Sequence, residues 1–267
     1  MNKAILLSCA AACATATSVM ATPFDDPVHL DVIEGWRASD GTHMAAIRLT
    51  LDPGWKTYWR APGDAGIPPS FEWNGSQNLH GVQFHWPMPE VFHDNGMRSI
   101  GYSEQVVIPV QVTPQTTGAD VRVSGQIHIG VCDEICMPMS LDFDAVLPPT
   151  GARDGTITAA LLDRPMTSRE GNVGAVTCRF DPLDDRLHLT ATIEMPSTGR
   201  DEEAVIEVGD PKIWVSEPQT SRSGNMLTAT SVLINVDQAA FAVDRSNVRI
   251  SVFGGNQMVD IRGCTGG

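Results

Sequence analysis

Apolar and polar residues alternate along most of this chain in short runs. The alternation is clearest at residues 106–112, 121–123, 127–129, 187–193 and 248–252, with Gly, Pro, Asn and Asp clusters between the runs. A period of two sends successive side chains to opposite faces of a strand, so each run predicts a half-buried strand. Many such strands at short spacing, punctuated by turn residues, predict an all-β chain of antiparallel sandwiches. One segment departs from this pattern. Residues 154–162 open with a capping Asp, carry helix-compatible spacing and stop before Pro165. They follow the stiff, turn-rich stretch Leu147-Pro148-Pro149-Thr150-Gly151. The chain therefore divides into a sandwich over 24–149, a linker with a short helix over 150–171, and a second sandwich over 172–265. A single large sandwich is the rival arrangement.

The amino terminus changes the picture of where the chain works. After Met1-Asn2-Lys3 comes an uncharged stretch of small and apolar residues ending Val19-Met20-Ala21, then polar Thr22-Pro23-Phe24-Asp25-Asp26. This reads as a signal peptide over residues 1–21 and implies export, with cleavage after Ala21. An uncleaved anchor and a lipoprotein cut at Cys9 or Cys13 are the alternatives. No other run reaches the roughly 18 apolar residues of a spanning helix. Without the leader the chain keeps 17 Lys+Arg against 32 Asp+Glu, a net charge of −15. So acidic a surface argues against nucleic acid or an anionic membrane as partner.

Four cysteines remain after the leader, and an even number in an exported chain favours disulfides over metal clusters. Cys132 and Cys136 fall in the first half with five of the six tryptophans (Trp36, Trp55, Trp59, Trp73, Trp86), read mainly as core. Cys178 and Cys264 fall in the second half, which suggests one bridge per domain among three possible pairings. A bridge from Cys178 to Cys264 would close a long loop and contribute about 4–5 kcal/mol in the chain-entropy model, so this pair reads as structural. Cys132 and Cys136 flank Asp133-Glu134-Ile135, the loop of an expected hairpin. Closing so short a loop contributes little to stability, which makes the pair a candidate for chemistry. A redox pair, a staple and a metal site all remain open from the spacing alone. Asp133 and Glu134 add a restraint. One carboxylate about 6 Å from a thiolate costs it roughly 0.7 kcal/mol at a dielectric of 80 and about 2.8 at 20. Such a pair would react with chosen partners only. His128, Cys132, Cys136, Met137 and Met139 together form a soft donor set suited to Cu(I). However, His128 and Cys132 are separated by about 13 Å of strand and cannot share an ion without a bulge. No metal ligand is assigned and no cofactor is expected.

At these residues the chain resembles a known family. Leu51-Asp52-Pro53-Gly54-Trp55-Lys56-Thr57-Tyr58-Trp59-Arg60-Ala61-Pro62-Gly63-Asp64-Ala65-Gly66-Ile67-Pro68-Pro69 and, downstream, Gly130-Val131-Cys132-Asp133-Glu134-Ile135-Cys136 are similar to the amino-terminal periplasmic domain of the DsbD/ScsB thiol:disulfide interchange proteins. The similarity spans about residues 28–147. The second half resembles the additional β domain of ScsB-like members through Trp214-Val215-Ser216 and Asp260-Ile261-Arg262-Gly263-Cys264. The resemblance implies two immunoglobulin-like sandwiches and a periplasmic location. It also implies a cysteine pair that passes electrons to a thioredoxin-fold partner, Cys136 forming the mixed disulfide and Cys132 resolving it. A cap loop, matched here to Phe92-His93-Asp94-Asn95-Gly96-Met97, would shield the pair, with Tyr58 as neighbour. The Cys-x3-Cys spacing points to the ScsB-like branch. The sequence stops at Gly267 without the membrane conduit or thioredoxin-like domain of those relatives, so the reductant is expected to be a separate protein, such as a CcdA-like membrane partner. The alternative function is a non-catalytic envelope binding module, linked to Cu(I) or to copper tolerance.

Overall fold

Strands Val121–Cys132 and Cys136–Leu147 pair antiparallel along their whole length, from Val121 opposite Leu147 to Cys132 opposite Cys136. The structure, a computed structural model, describes residues 26–94 and 96–267. The expected leader over 1–21, its cut after Ala21, Cys9 and Cys13, and Asn95 of the expected cap lie outside the described residues. The long hairpin forms one side of a sheet that continues through Lys56–Tyr58 and Met97–Ser103 to Glu90–Asp94, while Ser70–Glu72 pairs farther along Val121–Cys132. The facing sheet orders Val28–Arg37, His43–Leu51, Gln105–Pro114 and Leu79–Phe84. Alternate residues of each turn inward, among them Ile47, Leu49, Ile108 and Val110 from one sheet and Ile127, Ile129, Val131 and Phe143 from the other. This gives a core between two packed sheets.

The second half repeats the plan. One sheet runs Met166–Thr167, Gln257–Arg262, Arg249–Gly254, Glu203–Glu207. The other runs Ile213–Val215, Met226–Asn235, Arg186–Glu194, Val176–Leu183, Thr265–Gly266, with Gln219–Ser223 also paired to Met226–Asn235. Leu189, Ile193, Leu227, Leu233, Ile250 and Ile261 fill the space between them. The protein is all-β with two immunoglobulin-like sandwiches and a short helix between them. Two details depart from the sequence reading. Met166–Thr167, within the stretch assigned to the linker, already pairs in parallel with Val259–Asp260, and Thr265–Gly266 pairs in parallel with Thr177–Cys178. Strands of two residues are too short to show a period, so the pattern does not announce them.

Helix Gly155–Leu162 starts where Asp154 accepts hydrogen bonds from the Thr156 and Ile157 amides, satisfying two of the free N–H groups of the first turn. Its Ile157 is fully buried and its partner strand is Gln105–Pro114, so the connector is docked on the first sandwich. The sandwiches themselves are in contact. Val205, Phe253 and Met258 of the second belong to the core of the first. The fully buried Trp59 meets Phe253 edge-on, with ring centroids 5.8 Å apart. Arg60 stacks over the Trp59 ring at 3.8 Å and forks onto Glu207 at 2.9 and 3.2 Å. Arg98, with 5% of its side chain exposed, donates to Glu203 at 3.0 Å and to the Ala204 carbonyl at 3.2 Å. Charge-assisted, partly desolvated bonds of this kind fix one sandwich against the other.

Candidate functional site

The end of the long hairpin holds the first cysteine pair in a bond, with Cys132 fully buried and Cys136 exposed. The two residues face each other in register, their Cα atoms 4.2 Å apart, and the Asp133 amide closes the turn onto the Ile135 carbonyl at 3.2 Å. Lys56–Tyr58 lies on the other side of Cys132, with Lys56 opposite it. Alternation then sends Lys56 and Tyr58 to one face of that strand and Thr57 to the other. Thr57 is buried and donates to the Gly130 carbonyl at 2.9 Å, tying the two strands together.

Tyr58 is the side chain in closest polar contact with the pair. Its hydroxyl lies 2.7 Å from Cys132 Sγ, 3.3 Å from Cys136 Sγ and 3.3 Å from the Ala65 carbonyl. Two glycines make room for the ring. A Cβ on Gly130 would stand 2.9 Å from ring carbons of Tyr58, and one on Gly66 would also stand 2.9 Å from the ring. Burial, helped by the negative Asp94 nearby, raises the Tyr58 hydroxyl above its usual range, so it remains a protonated donor. Phe92, His93 and Asp94 sit on the strand that ends the sheet. Lys56 links two of them to the pair: its ammonium pairs with Asp94 and lies 4.9 Å over the Phe92 ring. His93 turns the other way, its Nε2 2.8 Å from Glu203 of the second sandwich. Asp133 lies against Gly54, whose φ of +90° favours glycine, and Glu134 is exposed at the turn.

The remaining residues singled out by sequence have other engagements. His128 bonds Ser140 at 2.8 Å and Glu72 at 3.3 Å, and Met137 and Met139 pack against the first core. Cys178 and Cys264 are bonded across the second sandwich, joining Val176–Leu183 to the segment between its last two strands. Sequence reasoning missed Gly66 and Gly130 as the residues that admit Tyr58, although both lie in the motifs quoted. It also missed Arg60, Arg98 and Glu203, whose partners are more than a hundred residues away. Ile135 at the turn is 63% exposed. Cys136 is thus the exposed member of the pair, two residues along from Glu134 at the turn, while Cys132 stays under the Tyr58 hydroxyl.

Residues 30–148 match the family model described as thiol:disulfide interchange protein DsbD, N-terminal. The crystal structure of the N-terminal periplasmic domain of ScsB from Proteus mirabilis is similar across both sandwiches. The TM-score is 0.66 at 22% identity, covering 92% of this chain and 96% of that one. At that identity the likeness speaks for the fold. No curated protein matches the chain. The match over the first sandwich, together with the bonded cysteine pair at the tip of its long hairpin, makes residues 30–148 a domain of the DsbD amino-terminal family.

Proposed function

We propose that this protein is an exported, periplasmic thiol–disulfide exchange protein that relays electrons through Cys132 and Cys136. The observation that carries this reading is the asymmetry of the pair: one cysteine exposed, the other fully buried with its sulfur beneath a hydroxyl donor. In the reducing half, a donor thiolate attacks Cys136 Sγ and forms a mixed disulfide. The S–S bond breaks, and Cys132 leaves with the electron pair as a thiolate that accepts a hydrogen bond from Tyr58. A second donor thiol then attacks the mixed disulfide, leaving Cys132 and Cys136 reduced and the donor oxidised. In the other half, Cys136 attacks a partner's disulfide and Cys132 resolves the mixed disulfide. Two electrons and two protons move in each half. The partner class is a periplasmic thioredoxin-fold protein, and the donor a separate membrane-embedded reductant of CcdA-like type. Phe92, His93 and Asp94 act as the cap, Asp133 and Glu134 restrain the thiolate, and Cys178–Cys264 is structural.

The trapping experiment tests the order of attack. Cys132→Ala is expected to accumulate a mixed disulfide through Cys136 with a thioredoxin-fold partner, read on a non-reducing gel with mass spectrometry of the linked peptides. Trapping only by Cys136→Ala, through Cys132, would reverse the assignment. Trapping by neither variant would remove the relay.

A further inference from the structure

The cleft where helix Gly155–Leu162 meets both sandwiches has an unbalanced charge. Its volume is about 250 Å³, and its lining draws on the helix, the first sandwich and the second. Three guanidinium groups converge there on one carboxylate. Arg249 holds Asp260 with two bonds at 2.6 and 2.9 Å, while Arg262 stands 3.7 Å and Arg60 3.9 Å from the same side chain. Glu207 answers Arg60, and on the rim Arg164 and Glu170 neutralise each other. Three cations against Asp260 and Glu207 leave one positive charge over, in a chain whose net charge is −14. The charge is partly desolvated: 12% of the Arg60 side chain is exposed, and burial lowers its proton affinity. Two polar atoms among these residues are also left over. Arg60 Nη1 and His85 Nε2 are buried and lack a hydrogen-bond partner. Buried donors without acceptors are rare in folded proteins, and an ion or ligand is one of the ordinary explanations. The lining also includes the apolar residues Phe84, Trp86, Leu161 and Met166, of which Phe84 and Trp86 pack against the first core as well.

We propose that this cleft binds a small organic carboxylate, with its head on Arg60, Arg262 and His85 and its apolar body against Phe84 and Trp86. One negative charge cancels the surplus, a planar carboxylate matches the guanidinium fork, and concave sites with a few convergent polar groups on an apolar wall are where small ligands bind. Because the lining comes from both sandwiches, the ligand favours the assembled arrangement and raises the melting temperature by mass action.

The test uses the full chain in its oxidised form and benzoate as probe, at constant ionic strength held with sodium chloride. Calorimetry is expected to show saturable binding with a dissociation constant on the order of millimolar or tighter, and the melting temperature rises with it. Acetate, which lacks the apolar body, and benzamide, which lacks the charge, are each expected to bind about tenfold or more weakly. Arg262→Ala removes a group that is 74% exposed, so the free protein keeps its melting temperature while benzoate affinity falls about tenfold. Absence of saturation by about 10 mM benzoate overturns the proposal. Equal binding of benzamide, or unchanged benzoate affinity in Arg262→Ala, overturns it as well.

Discussion

Tyr58→Phe removes a single oxygen, the one 2.7 Å from Cys132 Sγ, and keeps the ring that Gly66 and Gly130 accommodate. In the disulfide that oxygen donates to a neutral sulfur; after reduction the acceptor is a buried thiolate. A hydrogen bond to a charged group contributes about 1.5–3 kcal/mol, against about 1 for a neutral one. The Ala65 carbonyl, 3.3 Å away, competes for the same proton and favours the lower half of that range. The difference between the charged and the neutral bond is about 0.5–1.3 kcal/mol, so at about 1.4 kcal/mol per unit the Cys132 thiol of the variant titrates roughly half a unit to one unit higher than in the parent. The size of the redox consequence depends on pH. Where both thiols are protonated, the two proteins have nearly the same midpoint potential. Where Cys132 is ionised in the parent, the reduced variant lacks the stronger bond and its potential falls by about 10–30 mV. Tyr58 stays a donor through this range, because burial and Asp94 raise its own ionisation. Thiol alkylation with a mass tag across dithiothreitol series, repeated from neutral to alkaline pH, reads both quantities. Superimposable pH profiles for parent and variant would refute the role given to Tyr58, and with it the idea that a stabilised Cys132 thiolate is the leaving group at Cys136.

Three further outcomes follow from the same contacts. Cys178→Ala opens a loop spanning 86 residues and is expected to lower stability by about 4–5 kcal/mol, seen as a fall in the urea midpoint without loss of exchange at Cys132 and Cys136. Gly130→Ala places a Cβ 2.8 Å from Ile67 Cβ and 2.9 Å from the Tyr58 ring; it costs about 1–3 kcal/mol and slows the reaction of the pair with a small thiol, measured in stopped flow. Glu203→Ala frees His93 and strips Arg98 of one of its two carboxylates. Glu217 remains 3.3 Å from Arg98, so the cost is about 1–3 kcal/mol, less than that of stranding a buried charge outright. The same variant reduces faster with dithiothreitol, and an unchanged rate would separate the second sandwich from the cap.

The hairpin of Cys132 and Cys136 was legible because a period of two on both flanks leaves only three residues for the turn, and register then sets the cysteines opposite each other. The helix was legible from its capping Asp154 and the Pro that follows. Tyr58 was nameable only through the family motif; nothing in local pattern says that its hydroxyl reaches a sulfur 74 residues away. Arg60 lies in the same motif without any sign of its partner, and Arg98 and Glu203 carried no signal at all. Their partnerships join strands of different sandwiches, and alternation reports which face a residue occupies but not what the face meets. Trp59 shows the same limit. It reads as core, and it is buried, but one of the rings it meets, Phe253, belongs to the other sandwich.

Strand Glu90–Asp94 ends its sheet, with Met97–Ser103 as its only paired neighbour among the described residues. An edge strand can leave by peeling, without parting any two other strands. Its ties away from that neighbour are Asp94 to Lys56, His93 to Glu203, the Lys56 ammonium over the Phe92 ring, and the packing of Val91 against the first core. The floor beneath, from Lys56–Tyr58 through the long hairpin, keeps its pairing throughout. With this strand as the proposed cap, access becomes a question of how often a small local opening occurs rather than of how stable the protein is. A partner that captures the open form sets its own rate of reaction by how quickly it binds relative to reclosure. Selectivity between partners can thus reside in timing as much as in fit.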